Sequence, residues 1–571
     1  MKKINYILFS VFLLTSIGCS KSFLEKNPQG ELIGGQLETQ EGVDGFLTGA
    51  YSLLNGNVNG TFGNYGAAPS QWLLGEVTSD NAHKGSDNGD QPNMNLLERH
   101  APTSTNDNLE NVWARCFEGI LRCNNTLKFL SIVQAGDKKF PEARAIEIQA
   151  EARVLRAHYY FFLARIFKNV PLITETTTTV AVDNTPDIYP AIVNDLKFGV
   201  ENLGTVTSKD PVTRVNKITA QAYLGKVYLY QKKYPDALPL LNAVIAARPQ
   251  LETLPYTNNF DITKENGPES IFAVQHSVGA DGTGGDNGNV GDILNFPYGN
   301  GLPITCCGFF QPSIDLANAF KVDAAGLPYL LEQDYRANPY KSDFGLSDAD
   351  KKTYELDKAL KIDPRMDYTM GRRGVPFHDW GVMQGDSWIR EPSNGGPFVA
   401  YKNVIDASQV SSGTGPGNTN VTGLNVNIIR LADVYLMAAE CEVETGGVPR
   451  ALTLVNQVRA RAAKLPAKQV GGVNVAVYQV NPYPSFPNQD YARNAVRMER
   501  RLELALEGHR FYDLVRWGIA KRTLDSYFQF EGEYFPYLKP VVMEDRDEYF
   551  PIPQNQIDRS QGVLKQNPGY N

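Results

Sequence analysis

The sequence predicts a mainly α-helical protein whose C-terminal half is rich in loops and contains short strands. Three observations carry this reading. Apolar residues recur three or four positions apart in several long stretches, the spacing of a helix face. Two of those stretches read as helix pairs that approach closely through small residues. Between them, residues 256–427 are dense in Gly, Asn, Asp, Pro and aromatics, the composition of long loops carried on a scaffold. The chain has 571 residues, 42% of them hydrophobic, ample for a sizeable core and for roughly two to four domain-sized units.

The N-terminus bears on compartment. Lys2 and Lys3 precede an apolar run from Ile4 to Ile17, broken only by Asn5, Ser10, Thr15 and Ser16, and then Gly18-Cys19. This is a signal peptide over residues 1–18, too short to remain as a membrane span. Small residues before a cysteine resemble a bacterial lipobox, which makes Cys19 the lipid attachment site and residues 19–40 a lipidated tether. Ser16 stands where a lipobox usually has Leu, and ordinary cleavage beside an incidental cysteine is the other reading. Lipid chains on one cysteine give a stable membrane anchor.

Helical periodicity begins near Val43, with Phe46, Leu47, Ala50, Tyr51 and Leu54 on one face. Next, QWLLGEVTSDNAHKGSDNGDQPN passes from an apolar element into a long polar loop, with Trp72 expected in the core. In residues 150–173, Ala152, Leu155, Tyr159 and Leu163 line one helix face and Arg153 and Arg156 another, with Pro171 as the stop. In residues 218–249, Leu224, Gly225, Tyr228, Ala237, Leu241 and Pro249 fall at tetratricopeptide-repeat spacing, with Gln221 where a tryptophan is usual. Residues 428–462 form a looser pair of the same kind. SIFAVQH reads as a short strand, and DPRMDYTM, from Asp363, as a turn before another. The boundaries that follow are a helical region over 41–265 and a loop-bearing region with closing helices over 266–571.

Residues Arg497 to Gly518, RMERRLELALEGHRFYDLVRWG, combine an apolar face of Leu502, Ala505, Leu506 and His509 with dense charge. Glu499–Glu503 and Glu503–Glu507 are like-charged pairs four residues apart, which repel on an isolated helix. They therefore call for arginine partners, with Arg510 and Arg516 the nearest candidates. As paired surface carboxylates they are not read as catalytic acids.

These segments closely resemble the SusD/RagB family. Glu76, Ser79, Asp80 and Asn81 match its early E-x-x-S-D-N segment. Residues 150–173 match EAR-x-LRA-x-YYF-x-L-x-R-x-F-x-x-VPL almost position by position. Further matches lie at the start of 428–462, at the DPR turn and at Arg497 to Gly518. The tail YFPIPQNQIDRSQGVLKQNPGYN resembles the family's end, with Gln556 for an acidic residue and Arg559-Ser560 for Asn-Pro. The resemblance implies four tetratricopeptide-like helix pairs. It also implies a lipid-anchored protein of the outer-membrane surface that captures glycan for a SusC-type TonB-dependent transporter.

No catalytic motif competes with binding. The six histidines, at 83, 100, 158, 276, 378 and 509, are scattered and form no HExxH. There is no GxSxG elbow, no P-loop and no zinc constellation. The net charge of −8 argues against nucleic acid as a partner. No cofactor is implied, beyond a calcium ion that Asp281, Asp286, Asn287 and Asp292 could hold in a glycine-rich loop. Adjacent Cys306 and Cys307 form either a vicinal disulfide or two free or separately paired thiols.

A sugar presents an apolar face to aromatic rings and a rim of hydroxyls to Asn, Asp, Gln and Arg. Two loop clusters carry that mix. NFPYGNGLPITCCGFFQPS holds Tyr298, Phe309 and Phe310. GRRGVPFHDWGVMQGDSWIREPSNGG holds Trp380 and Trp388 beside Arg372, Arg373, His378 and Asp379. The polar loop with Asn81, His83 and Asp87 is a third wall. For each ring the alternative is packing beneath a loop. A peptide-binding member of the same family and a surface glycan-degrading enzyme are the rival functions.

Overall fold

The computed structural model describes residues 37–57, 64–179, 181–209, 212–279, 287–415 and 418–570. The predicted signal peptide, Cys19 and most of the predicted tether lie outside the described residues, as do Asp281 and Asp286.

Four helix pairs follow one another along the chain. They are α1 (Gln40–Ser52) with α2 (Asp107–Ala135), α3 (Glu142–Phe167) with α4 (Tyr189–Asn202), α5 (Lys217–Tyr230) with α6 (Tyr234–Ala246), and α7 (Leu431–Thr445) with α8 (Val448–Ala462). Each pair also packs on the next, α2 on α3, α4 on α5 and α6 on α7. Side-chain caps open several of them. Thr39 Oγ1 accepts from Gly42 N, Asn106 Oδ1 from Asn108 N and Asn216 Oδ1 from Thr219 N, each satisfying an otherwise orphaned donor. Helix α3 ends at Lys168, which adopts φ +60°, so the stop falls before Pro171 rather than at it. The close approach predicted at Gly225 is present: a Cβ there would sit 2.8 Å from Leu241 Cδ2.

Residues 247–430 are inserted between α6 and α7, yet the two helices still pack together. Lys226 of α5 bonds Asp433 of α7 at 3.0 Å with both side chains buried, which fastens the seam. Strand β2 (Ser270–Val274) then pairs antiparallel with β6 (Val426–Arg430), Ser270 opposite Arg430, and draws the two ends of the insertion together. From outside it, β1 (Ala82–Gly85) pairs with β3 (Phe309–Pro312) of the insertion, and within the insertion β4 (Met370–Gly371) pairs with β5 (Val399–Ala400). The inserted loops have a core of their own, built from residues such as Phe296, Phe377, Met383, Trp388, Tyr401 and Val404.

The charged signature forms α9 (Gln489–Leu504), followed by α10 (Arg510–Arg516) and α11 (Ala520–Glu531). Its charges are interior, not at the surface as expected: Glu499, Arg500, Arg501 and Glu503 are all buried. Arginine partners are present, but they differ from those proposed. Glu503 meets Arg365 at 2.9 Å, Arg430 at 2.7 Å and Arg461, while Glu507 meets Arg430 and Lys402, each at 2.6 Å. Arg510 instead bonds Asp80 at 2.7 Å, and Arg516 bonds Glu440 and Asp513. Two repelling carboxylates tolerate each other here because cations from distant segments lie between them.

Candidate ligand-binding face

The β1–β3 pair brings the loop after Gly85 against the loop before Phe309. Ser86 N donates to Gly308 O at 2.5 Å. Phe309 N donates to Leu294 O, Gly308 N to Phe296 O and Cys306 N to Pro297 O, so residues 294–298 and 305–309 run as a short antiparallel hairpin. Tyr298 stands near its tip, and its N–H donates to Trp388 O at 2.9 Å, which ties the hairpin to the third loop. At 45% exposure, Tyr298 is the only exposed aromatic side chain among the described residues.

The polar surroundings of Tyr298 come from the other two loops. The Arg390 guanidinium lies 5.6 Å from the ring centre, a cation–π contact that steadies the ring. The same guanidinium bonds Asp87 at 2.5 Å and Asp90 at 2.6 Å. Beneath them, Lys84 donates to the Asp87 and Asp90 carbonyls, each at 2.7 Å, and so shapes the loop. Burial pushes the Lys84 ammonium down to about 8, although nearby carboxylates oppose the shift.

Cys306 and Cys307 are joined as a disulfide with the sulfurs 2.11 Å apart. Both are half-buried. Cys306 packs on the loop core and Cys307 on the main core, so the pair rivets the hairpin at the junction of the two. Cys116, Cys123 and Cys441 are free and buried.

Trp380 is half-buried. Its Nε1 donates to Ile405 O at 3.0 Å, and its ring meets Phe377 edge-on at 5.5 Å and Trp388 at 6.1 Å. Asp379 is occupied in accepting from the Ala407 and Ser408 amides, at 2.5 and 3.0 Å. His378 stacks on Tyr401 at 3.8 Å and bonds Asp406 at 2.9 Å.

The other candidates are interior. Phe309 and Phe310 are both 2% exposed and pack on Trp72, with ring centres 6.2 and 5.8 Å away. Trp72 is core, as expected. Trp388 is 6% exposed and belongs to the loop core. Asn81 is enclosed, donating to Glu76 at 2.8 Å and accepting from Arg501 at 2.9 Å. His83 is fully buried between Glu98 at 3.1 Å and Glu531 at 3.0 Å. Burial alone would lower the imidazole, but hydrogen bonds and charge from Glu531 and Glu98 outweigh it and raise it to about 9. These residues hold the loops and cannot touch a ligand. Arg372 and Arg373 are likewise paired, with Asp367 and Asp343.

Arg390 and Asp90 were not anticipated. Both lie inside segments singled out by composition, but neither has a local pattern that separates it from its neighbours. The calcium reading loses one ligand. Asp292 is buried and already accepts from Ser70, Asn289 and Asn295 at 2.5, 2.7 and 3.3 Å. No group of three or more His, Cys, Asp or Glu able to hold a metal occurs among the described residues.

The fold is a helical-repeat scaffold that carries this loop-borne face. Comparison with known proteins makes the class specific. The SusD family model matches residues 268–570. A second, described as starch-binding associating with outer membrane, matches residues 22–229. The chain belongs to the SusD family. SusD-like protein P25 of Formosa agariphila is 26% identical over 532 residues, covering 90% of each chain. SusD-like protein P2 of the same organism is 24% identical over 585 residues, covering 100% of both. Among solved structures, a laminarin binding SusD-like protein is 25% identical with a TM-score of 0.66, covering 93% of this chain and 100% of that one. Surface glycan-binding protein A from Bacteroides thetaiotaomicron, in complex with laminarihexaose, has a TM-score of 0.64 at 19% identity, covering 93% and 99%; this second likeness concerns the fold.

Proposed function

We propose that this protein captures glycan on the face around Tyr298 and passes it, uncut, to a SusC-type TonB-dependent transporter at the outer membrane. Cys19 supplies the lipid anchor, and the capture face looks outward. The observation that carries the reading is Tyr298 itself. An aromatic ring is left in solvent on a hairpin fastened by backbone hydrogen bonds, a disulfide and Arg390. Ordering costs are thus met before ligand arrives. Asp87, Asp90 and Arg390 offer hydroxyl partners beside it. The laminarin-binding relative supports a glycan as cargo.

Cleavage is a poor fit for this face. The two carboxylates bonded to Arg390 share its one guanidinium, whereas a glycosidase needs one carboxyl kept protonated as an acid. The test is native affinity electrophoresis of the chain from Ser20 onward against a polysaccharide panel, beside Tyr298→Ala. Retardation by one glycan class, without chain shortening and lost in the variant, is expected. Depolymerisation, or retardation unchanged in the variant, would overturn the reading.

A further inference from the structure

A cavity of about 260 Å³ lies where the start of α5, the residues just after α6 and strand β2 meet. None of its lining residues belongs to the Tyr298 face. Val206 and Val212, 63% and 66% exposed, stand among them and mark the side open to solvent. The volume is close to the roughly 300 Å³ at which small-molecule pockets begin. It gives room for one sugar unit rather than for a chain.

Two donors in its wall are unspent. Arg248 follows α6 and is half-buried. Its guanidinium makes one long hydrogen bond, from Nη2 to Ser270 O at 3.4 Å, and no ion pair among the described residues. Its Nη1 is neither bonded nor sealed from solvent. Burial lowers the guanidinium from its ordinary value, and no carboxylate opposes that shift. Asn216 caps α5, with its Oδ1 accepting from Thr219 N at 3.0 Å and from Thr219 Oγ1 at 3.3 Å. The cap fixes the amide, so Nδ2 is the free end, and it too is unbonded without being closed off.

Charge selects the ligand. None of the described lining residues is Asp or Glu, so a metal cation finds no anionic partner here. Arg214, also in the wall, is bonded to Glu151 at 2.9 Å and braces it. The positive end of the α5 dipole borders the cavity at Asn216 and Ile218, which favours an anion. A half-buried guanidinium without a countercharge does the same, and its planar fork suits a carboxylate or a sulfate. A neutral sugar would leave that charge uncompensated. Ile218 and Phe272 in the wall give apolar surface for the C–H face of a ring.

We propose that this cavity is a second ligand site, taking a single anionic sugar unit whose carboxylate or sulfate is held by Arg248 and Asn216. It does not depend on the reading of the Tyr298 face.

The experiment uses the chain from Ser20 onward carrying Tyr298→Ala, so that the outer face is silenced. Glucuronate and glucose 6-sulfate are the two anionic probes, with glucose and inorganic sulfate as comparisons. Calorimetry and saturation-transfer NMR should detect millimolar binding of at least one anionic sugar, and the stronger of the two shows which oxyanion the site prefers. Arg248→Gln should weaken it about tenfold or more, the effect of losing a charged donor. Asn216→Asp keeps a residue that caps a helix well and sets a carboxylate against the ligand, so it should weaken binding at least as much. Thermal melts identify any variant that has lost its fold, and the other variant then carries the test. Binding of glucose as tight as that of the anionic sugars, binding unchanged in a folded variant, or no binding of either anionic sugar would each overturn the proposal. Inorganic sulfate binding as tightly as both would also overturn it, since the cavity would then hold an adventitious ion only.

Discussion

Arg430 and Glu503 lie 73 residues apart and meet at 2.7 Å, one ending β6 and the other on α9, with essentially no exposure of either side chain. Burial by itself would raise the Glu503 carboxyl. The guanidiniums of Arg461, Arg430 and Arg365 outweigh that and hold it down to about 2, against an ordinary 4.5. A carboxyl depressed on folding adds stability above its unfolded pKa, and loses it as pH falls through the folded one. Acid unfolding between about pH 4.5 and 2 should therefore draw on Glu503. Glu503→Gln should cost about 3–5 kcal/mol at neutral pH by stranding buried arginines, and should flatten the acid limb. Denaturant melts from pH 2 to 7 check both, and a cost under about 1 kcal/mol would mean the arginines re-pair elsewhere.

His83 works in the opposite direction. Its folded pKa of about 9 exceeds the ordinary 6.5, so its contribution is full below about pH 6.5 and is lost as pH rises through 9. His83→Gln should remove part of the alkaline loss of stability between those values. It should also loosen the junction of β1, where Glu98 carries a further bond from Tyr537. Thermal melts from pH 6 to 10 on both proteins provide the check; parallel curves would show that the pair of carboxylates does not depend on the imidazole's proton.

Gly75 tests the fit between the two ends of the chain. A Cβ there would fall 2.3 Å from the Gly508 carbonyl oxygen, and the obstacle is backbone, which cannot swing aside. Gly75→Ala should lose about 1–3 kcal/mol through overpacking, far more than an exposed Gly→Ala change. An equilibrium urea midpoint indistinguishable from that of the parent would contradict the contact.

Tyr298 and Trp388 should separate binding from stability. Tyr298→Ala removes an exposed ring, so the fold should hold while glycan affinity drops roughly 10–100-fold, the effect of losing an aromatic anchor. Trp388→Ala empties part of the loop core, at about 3–5 kcal/mol. Paired melts and affinity gels read this directly, and a Trp388→Ala protein as stable as the parent would return that ring to the list of ligand contacts.

The scaffold was legible because periodicity is local. Val43 to Leu54, the Gly225 contact and the α7/α8 pair all follow from residues within a few turns of one another. The signature was half legible: like charges four apart announced a need for arginines. Residues 365, 430 and 461 could not be picked, since no local spacing links them to Glu503. The face was hardest. Asn81 and His83 sit in a run as polar as any surface loop, yet their hydrogen bonds are satisfied inside. Phe309 and Phe310 follow Tyr298 on the same hairpin, and only the pairing of β1 with β3 turns them onto Trp72. Composition marked the loops that meet around Tyr298 and could not say which way each ring turns.

Asp80 carries one more implication. It is buried, and its carboxylate is matched by Arg501 at 3.2 Å and Arg510 at 2.7 Å, more than four hundred positions later. Until those arginines arrive, the first hundred residues contain a charge that cannot be shut away from water except at high cost. The early part of the chain is thus barred from settling on its own during synthesis. A truncated translation product ending before residue 497 should remain open, fit for threading through a secretion pore and vulnerable to proteases, until the closing helices complete it.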